Sequence, residues 1–232
     1  MDRSFQVTDL GLIGYADAVR IQEELADARL RGDTPDTLLL LEHPPVITLG
    51  RRASLSDVYL SAEALARQGV DLQRSTRGGL VTYHGPGQLV GYPIVYLPDL
   101  GLTVPDYIHG IERTLIRALA EIGLEAHRDP EHVGVWTHRG KIAAIGVAQN
   151  LGVTMHGFAL NLQPNLAHFA LINPCGVADR GVTSAAEILG HSVDMQDFKY
   201  RVATAFAAEF GYHVSPAVSQ PHTQVECLSK SH

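Results

Sequence analysis

Thr37-Leu38-Leu39-Leu40-Leu41-Glu42 is a short continuous apolar run, the pattern of a strand covered on both faces. His43-Pro44-Pro45 stops it, and Val46-Ile47-Thr48-Leu49 starts the next strand. Upstream, residues 5–8 can open a first strand, and Tyr15 to Arg31 has helical periodicity. Ala18, Val19, Leu25, Ala26 and Leu30 share one broad apolar side of that helix, and Gly32-Asp33-Thr34-Pro35 ends it. Downstream, Gly50-Arg51-Arg52 is a turn with two positive charges, and Ser61 caps a short helix through Gln68. From Leu72 to Leu97, short apolar runs alternate with glycine and proline, which predicts strands joined by tight turns.

The clearest helix starts at the N-cap Thr103, with Pro105 and Asp106 in its first turn. Val104, Ile108, Ile111, Leu115, Ala118, Leu119 and Ile122 recur at helical spacing until Gly123. Val133–His138 and Lys141–Gln149 read as a hairpin turning at Arg139-Gly140, and Thr154–Leu162 as another strand. Ser184-Ala185-Ala186-Glu187 is a capping-box pattern opening a short helix, and a final helix spans Asp194 to about Phe210. Strands and helices mix without strict βαβ alternation, so the expected class is α+β in one domain, residues 1–214. Residues 215–232, rich in Pro, Ser, Gln, His and Thr, read as a frayed tail.

Composition narrows the function. With 232 residues, 45% apolar and 19% charged, the chain is an ordinary globular one able to bury a sizeable core. A formal net charge of −7 argues against nucleic-acid binding. No basic start followed by an apolar run marks an export signal, and no stretch of about 18 apolar residues marks a membrane span. The two cysteines, Cys175 and Cys227, are therefore expected as thiols in a reducing, cytoplasmic setting. Nothing requires an oligomer, and a monomer is expected. The twelve histidines are scattered without metal-ligand spacing, so no metal or other cofactor is expected.

Three stretches are denser in special residues than a plain core needs. In Arg77-Gly78-Gly79-Leu80-Val81-Thr82-Tyr83-His84-Gly85-Pro86-Gly87-Gln88, five of twelve residues are Gly or Pro. They either form ordinary hairpin turns or let a backbone approach a ligand closely. Gly85-Pro86-Gly87-Gln88-Leu89-Val90-Gly91 misses the dinucleotide spacing, and there is no Walker pattern. In Gly140-Lys141-Ile142-Ala143-Ala144-Ile145-Gly146, the lysine either snorkels from a sheet edge or holds an ammonium beside a thiol. His156-Gly157-Phe158-Ala159-Leu160-Asn161 is either a bulged strand or one with room for a slim ligand. To these is added Ile172-Asn173-Pro174-Cys175-Gly176, a turn presenting a thiol that on its own reads first as a small buried hydrophobe and only second as a nucleophile.

Together and in this order, with Tyr92-Pro93 between them, these stretches resemble the lipoyl(octanoyl) transferases, over nearly the whole chain to about Tyr212. The resemblance implies a mixed sheet flanked by helices, similar to the catalytic domain of biotin and lipoate ligases. It implies transfer of an octanoyl or lipoyl group from acyl carrier protein to a lysine of lipoyl domains of 2-oxoacid dehydrogenases or of the glycine cleavage H protein. Cys175 is then the acyl-thioester nucleophile, with Lys141 lowering its pKa and shuttling protons. Arg77, Gly78, Gly79, Leu80, Val81, Thr82, Tyr83 and His84, with Ala144, Ile145, Gly146, Gly157, Phe158 and Ala159, line the acyl channel.

A thiol of pKa about 8.5 is only a few per cent thiolate at neutral pH. An ammonium that lowers it by about two units supplies roughly 2.7 kcal/mol. Thioester-to-thioester and thioester-to-amide steps need no ATP, and Lys141 or His84 could take the acceptor's proton. Because the carrier is acidic, a basic patch of Arg51, Arg52, Arg74 and Arg77 is expected at the channel mouth. The competing readings are an ATP-dependent ligase on the same fold, a cysteine hydrolase and a non-catalytic acyl-binding module.

Overall fold

The computed structural model describes residues 4–173 and 180–214. In chain order the elements are β1 (Ser4–Leu12), α1 (Tyr15–Arg31), β2 (Asp36–Glu42), β3 (Val46–Leu49), α2 (Ala62–Arg67), β4 (Asp71–Arg74), β5 (Val81–His84) and β6 (Gln88–Ile94). They continue as α3 (Leu97–Leu100), α4 (Val104–Ala120), β7 (His127–Arg128), β8 (Val135–Thr137), β9 (Gly140–Asn150) and β10 (Val153–Asn161). The last are α5 (Ala185–Leu189), α6 (Met195–Phe210) and β11 (His213–Val214). The strands form an eight-stranded mixed sheet, ordered β11-β1-β2-β6-β10-β9-β8-β7, and a three-stranded sheet, β4-β3-β5. The expected class, α+β with a mixed sheet flanked by helices, is the one observed.

The leucine run explains the layering. Side chains alternate along β2: Leu38 and Leu40 enter the core beneath α4 and α6, while Leu39 and Leu41 pack with Ala18 and Ile21 of α1. All four are fully buried, each contributing about 1.5–3 kcal/mol. A continuous apolar run is what a strand needs when both faces are covered. The smaller sheet has its own core of Ile47, Leu49, Val58, Leu65, Val70, Val81, Tyr83 and Ile172.

The caps fall where the sequence puts them. Thr103 closes a full capping box with Asp106, and Gly211 ends α6 in the left-handed conformation. Ser184 accepts from Glu187 N, but the Glu187 carboxylate takes the Thr183 hydroxyl instead of completing the box. Helix α1 departs from its predicted face: Leu30 is exposed, and Gln22 is fully buried, accepting from the His156 amide at 2.7 Å. The short α3, β7 and β11 were not expected, being too brief for a periodic signal.

Gly91 of β6 stands opposite Phe158 of β10, and the phenyl ring lies across the space a side chain at 91 would occupy. Gly91→Ala is therefore expected to lower stability by about 1–3 kcal/mol through overpacking. At roughly 2–4 °C per kcal/mol for a domain of this size, thermal unfolding followed by circular dichroism checks it.

Candidate active site

The gap between the two sheets is a cavity of about 330 Å³, at the small end of the roughly 300–1,000 Å³ usual for ligand pockets. Of the residues expected around a channel, Arg77, Gly79, Leu80, Val81, Thr82, His84, Lys141, Ala144, Ile145, Gly146, Gly157, Phe158 and Ala159 line it. Gly78 and Tyr83 do not. Tyr83 faces the core of the smaller sheet, where its hydroxyl meets His168 Nδ1 at 2.7 Å. Gly78 donates its N–H to Val147 O at 2.9 Å, bonding the loop to β9 behind the lining.

Close backbone approach accounts for the glycines. A Cβ on Gly50 would sit 2.7 Å from Gly79 O, and one on Gly146 would sit 3.0 Å from Gly78 O. Gly79 itself has φ +85°, a conformation side chains resist. Arg77 turns inward: Nη2 donates to Thr48 O at 2.7 Å and to Thr48 Oγ1 at 2.9 Å, and Nη1 donates to Gly78 O at 3.1 Å. Burial pulls the pKa of this guanidinium down. This corrects the expected basic patch. Arg51, Arg52 and Arg74 are exposed, and Arg52 reaches the cavity, but Arg77 is an internal strut. The turn carrying Arg51 and Arg52 is stitched to the loop by Arg51 N–H to Arg77 O and Arg52 N–H to Gly79 O.

Beside Arg77 the inner wall is polar, and its imidazoles are neutral. His43 Nδ1 lies 2.7 Å from Ile13 O, so it carries the proton and Nε2 accepts from the Tyr92 hydroxyl at 2.8 Å. His84 Nδ1 donates to Gln88 Oε1 at 2.7 Å, while Gln88 Nε2 donates to Asn161 Oδ1 and Asn161 Nδ2 donates to Thr183 O. His156 holds a left-handed φ of +56°, with Nε2 at 2.9 Å from Thr76 Oγ1. Desolvation pushes the pKa of His43 and of His156 down to about 4 and that of His84 well down. His84, named above as a possible proton acceptor, is thus held neutral.

Lys141 behaves differently. Its Nζ donates to Val133 O at 2.7 Å and lies 5.4 Å from the centre of the Trp136 ring. Burial lowers its pKa to about 8, against the pull of Glu112 and Asp129. Its backbone is fixed by Lys141 N–H to Gly181 O and Thr183 N–H to Lys141 O. Cys175 falls outside the described residues. On its N-terminal side, Asn173 N–H donates to Asp57 O at 2.8 Å. Lining residues that sequence reasoning did not name are Tyr15, Glu131, His132, Val133, Phe169 and Val182. They sit outside the glycine-rich stretches and carry no local signal. Among the described residues, no group of three His, Cys, Asp or Glu could hold a metal ion, and no helix is long and apolar enough to cross a membrane.

Residues 14–207 match the family model of the lipoyl protein ligase A/B catalytic domain. An octanoyltransferase of Caldicellulosiruptor saccharolyticus is 48% identical, with 87% of each chain covered. One of Alkaliphilus metalliredigens is 47% identical, over 91% of this chain and 98% of that one. Among solved structures, the bipartite lipoate protein ligase of Thermoplasma acidophilum shares the fold. Its TM-score is 0.72 at 13% identity, covering 95% of this chain and 88% of that one. The biotin protein ligase of Aquifex aeolicus shares it at a TM-score of 0.55 and 15% identity, over 89% and 70%. With residues 14–207 matched by the family model and nearly half the aligned residues shared with the two octanoyltransferases, the chain belongs to the lipoyl protein ligase A/B catalytic domain family.

Proposed function

We propose that this protein is an ATP-independent octanoyltransferase. It moves an octanoyl or lipoyl group from acyl carrier protein to a lysine of a lipoyl domain, through a thioester on Cys175. The observation that carries this reading is one cavity of about 330 Å³ that Lys141, Ala144–Gly146 and Gly157–Ala159 line together. The name borne by the relatives at 47–48% identity supports it.

In the first half-reaction the Cys175 thiol gives its proton to the Lys141 amine. The thiolate attacks the carrier thioester carbonyl, the tetrahedral adduct collapses, and the carrier thiolate leaves with the proton from Lys141. In the second, the acceptor lysine attacks the octanoyl-Cys175 carbonyl and loses a proton to Lys141, and Cys175 leaves as the thiolate. A lysine with a pKa of about 8 can serve in both directions near neutral pH, whereas one near the usual value of about 10.4 would release its proton too reluctantly. The neutral imidazoles and the small residues of β9 and β10 leave a slot suited to an uncharged acyl chain. Partners that fit this reading are octanoyl-acyl carrier protein as donor and lipoyl domains of 2-oxoacid dehydrogenases or the glycine cleavage H protein as acceptors, with the enzyme working as a cytoplasmic monomer.

Intact mass after mixing with octanoyl-carrier and no ATP is expected to show one octanoyl adduct. The adduct is absent in Cys175→Ser, and an unmodified wild-type chain under turnover conditions would sink the mechanism. Lys141→Ala should slow acylation at pH 7 by about a hundredfold or more. The rate of that variant should recover as pH rises towards about 8.5, where the thiol ionises unaided; stopped acylation assays across pH read both. Reversing the exposed Arg51 and Arg52 to Glu should slow carrier-dependent acylation about tenfold at low ionic strength. The difference should shrink at high salt, and equal rates at low salt would remove these arginines from carrier binding.

A further inference from the structure

On the side of Lys141 away from β10, helix α4 meets the segment Arg128–Gly134, and a single peptide group joins them to the lysine. The Val133 carbonyl accepts from Lys141 Nζ at 2.7 Å. The Gly134 N–H, the other half of that peptide, donates to Glu112 Oε1 at 2.9 Å. We propose that the Val133–Gly134 peptide is a relay through which the buried Glu112 carboxylate orients Lys141 and holds its proton. Glu112 is then a positioning residue, and Gly134 is the residue the relay geometry demands. The consequence for transfer rests on Lys141 serving as the proton carrier described above.

Ammonium, peptide and carboxylate stand in series, so both hydrogen bonds are charge-assisted and each polarises the other. Glu112 is only 1% exposed, where an unsatisfied carboxylate would be costly. Its second oxygen accepts from Arg128 Nε at 2.5 Å and lies 3.0 Å from His109 Nδ1. Gly134 has φ +129°, and a Cβ there would sit 2.5 Å from both Lys141 Cε and Ala143 O. Only a bare backbone can lie so close to the lysine stem.

Other charged groups surround the relay. Asp129 is ion-paired with Arg180, whose guanidinium stacks 4.1 Å over Trp136, the ring that Lys141 also approaches. Glu131 and His132 complete the lining on this side. Burial lowers the proton affinity of Lys141, with Glu112 first among the groups that raise it.

The test titrates Lys141 in the full chain by pH-dependent reductive methylation, read by peptide mass spectrometry. The wild-type midpoint should lie near about 8. Glu112→Gln should move it down by about one pH unit. Arg128→Gln, which strips a counter-charge from Glu112 at an exposed position, should move it up. Opposite movements support the relay, and a midpoint unmoved in folded Glu112→Gln overturns it. If Glu112→Gln does not fold, Arg128→Gln decides alone: a rise supports the relay and no change overturns it. Since the readout needs no acyl transfer, a moved midpoint with an unmoved pH profile of transfer keeps the relay and removes Lys141 from the reaction.

Discussion

A backbone hydrogen bond from Gly78 to Val147 ties the loop beside the three-stranded sheet to the eight-stranded one, and the cavity is the space that this contact frames. The contact is possible because Gly50, Gly78 and Gly146 bring no Cβ atoms to a place where backbones nearly touch. Arg77 braces the same corner, its guanidinium bound to Thr48 and to its own loop. Among the described residues, these backbone and guanidinium hydrogen bonds hold the cavity walls at this corner.

The electrostatics follow from that enclosure. Three imidazoles and two tyrosines lie along or behind the inner wall, and burial keeps them neutral. Burial disfavours the charged form of Lys141 too, and with two carboxylates opposing it the pKa falls to about 8. The imidazoles on one side of the cavity are thus neutral, and Lys141 on the other holds its proton less tightly than a lysine in water.

The sequence made some of this legible. The four leucines of β2 declared a strand covered on both faces because no polar residue interrupts them. Thr103 and Asp106 declared a helix start, because the capping hydrogen bonds are local and need only the residues between them. The stretches at 77–88, 140–146 and 156–161 stood out because glycines in a strand region demand a reason. Glu112 could not be found in this way. On α4 a glutamate reads as a solvent-facing residue, and only its partners Arg128 and Gly134, 16 and 22 positions on, make its burial tolerable. Gln22 is the same case, paired with a backbone amide 134 residues away.

By itself, then, the sequence determined the α+β class, the limits of the longer helices and the glycine-rich stretches that line the cavity, because propensity, capping and periodicity act over a few residues. The tertiary structure decided that Arg77 points inward rather than into solvent, that Tyr83 belongs to a core and not to the cavity, and that His84 stays neutral. It also decided what surrounds Lys141. Burial and partnership in these cases are set by segments far apart in the chain, and a side chain's charge state depends on what finally encloses it.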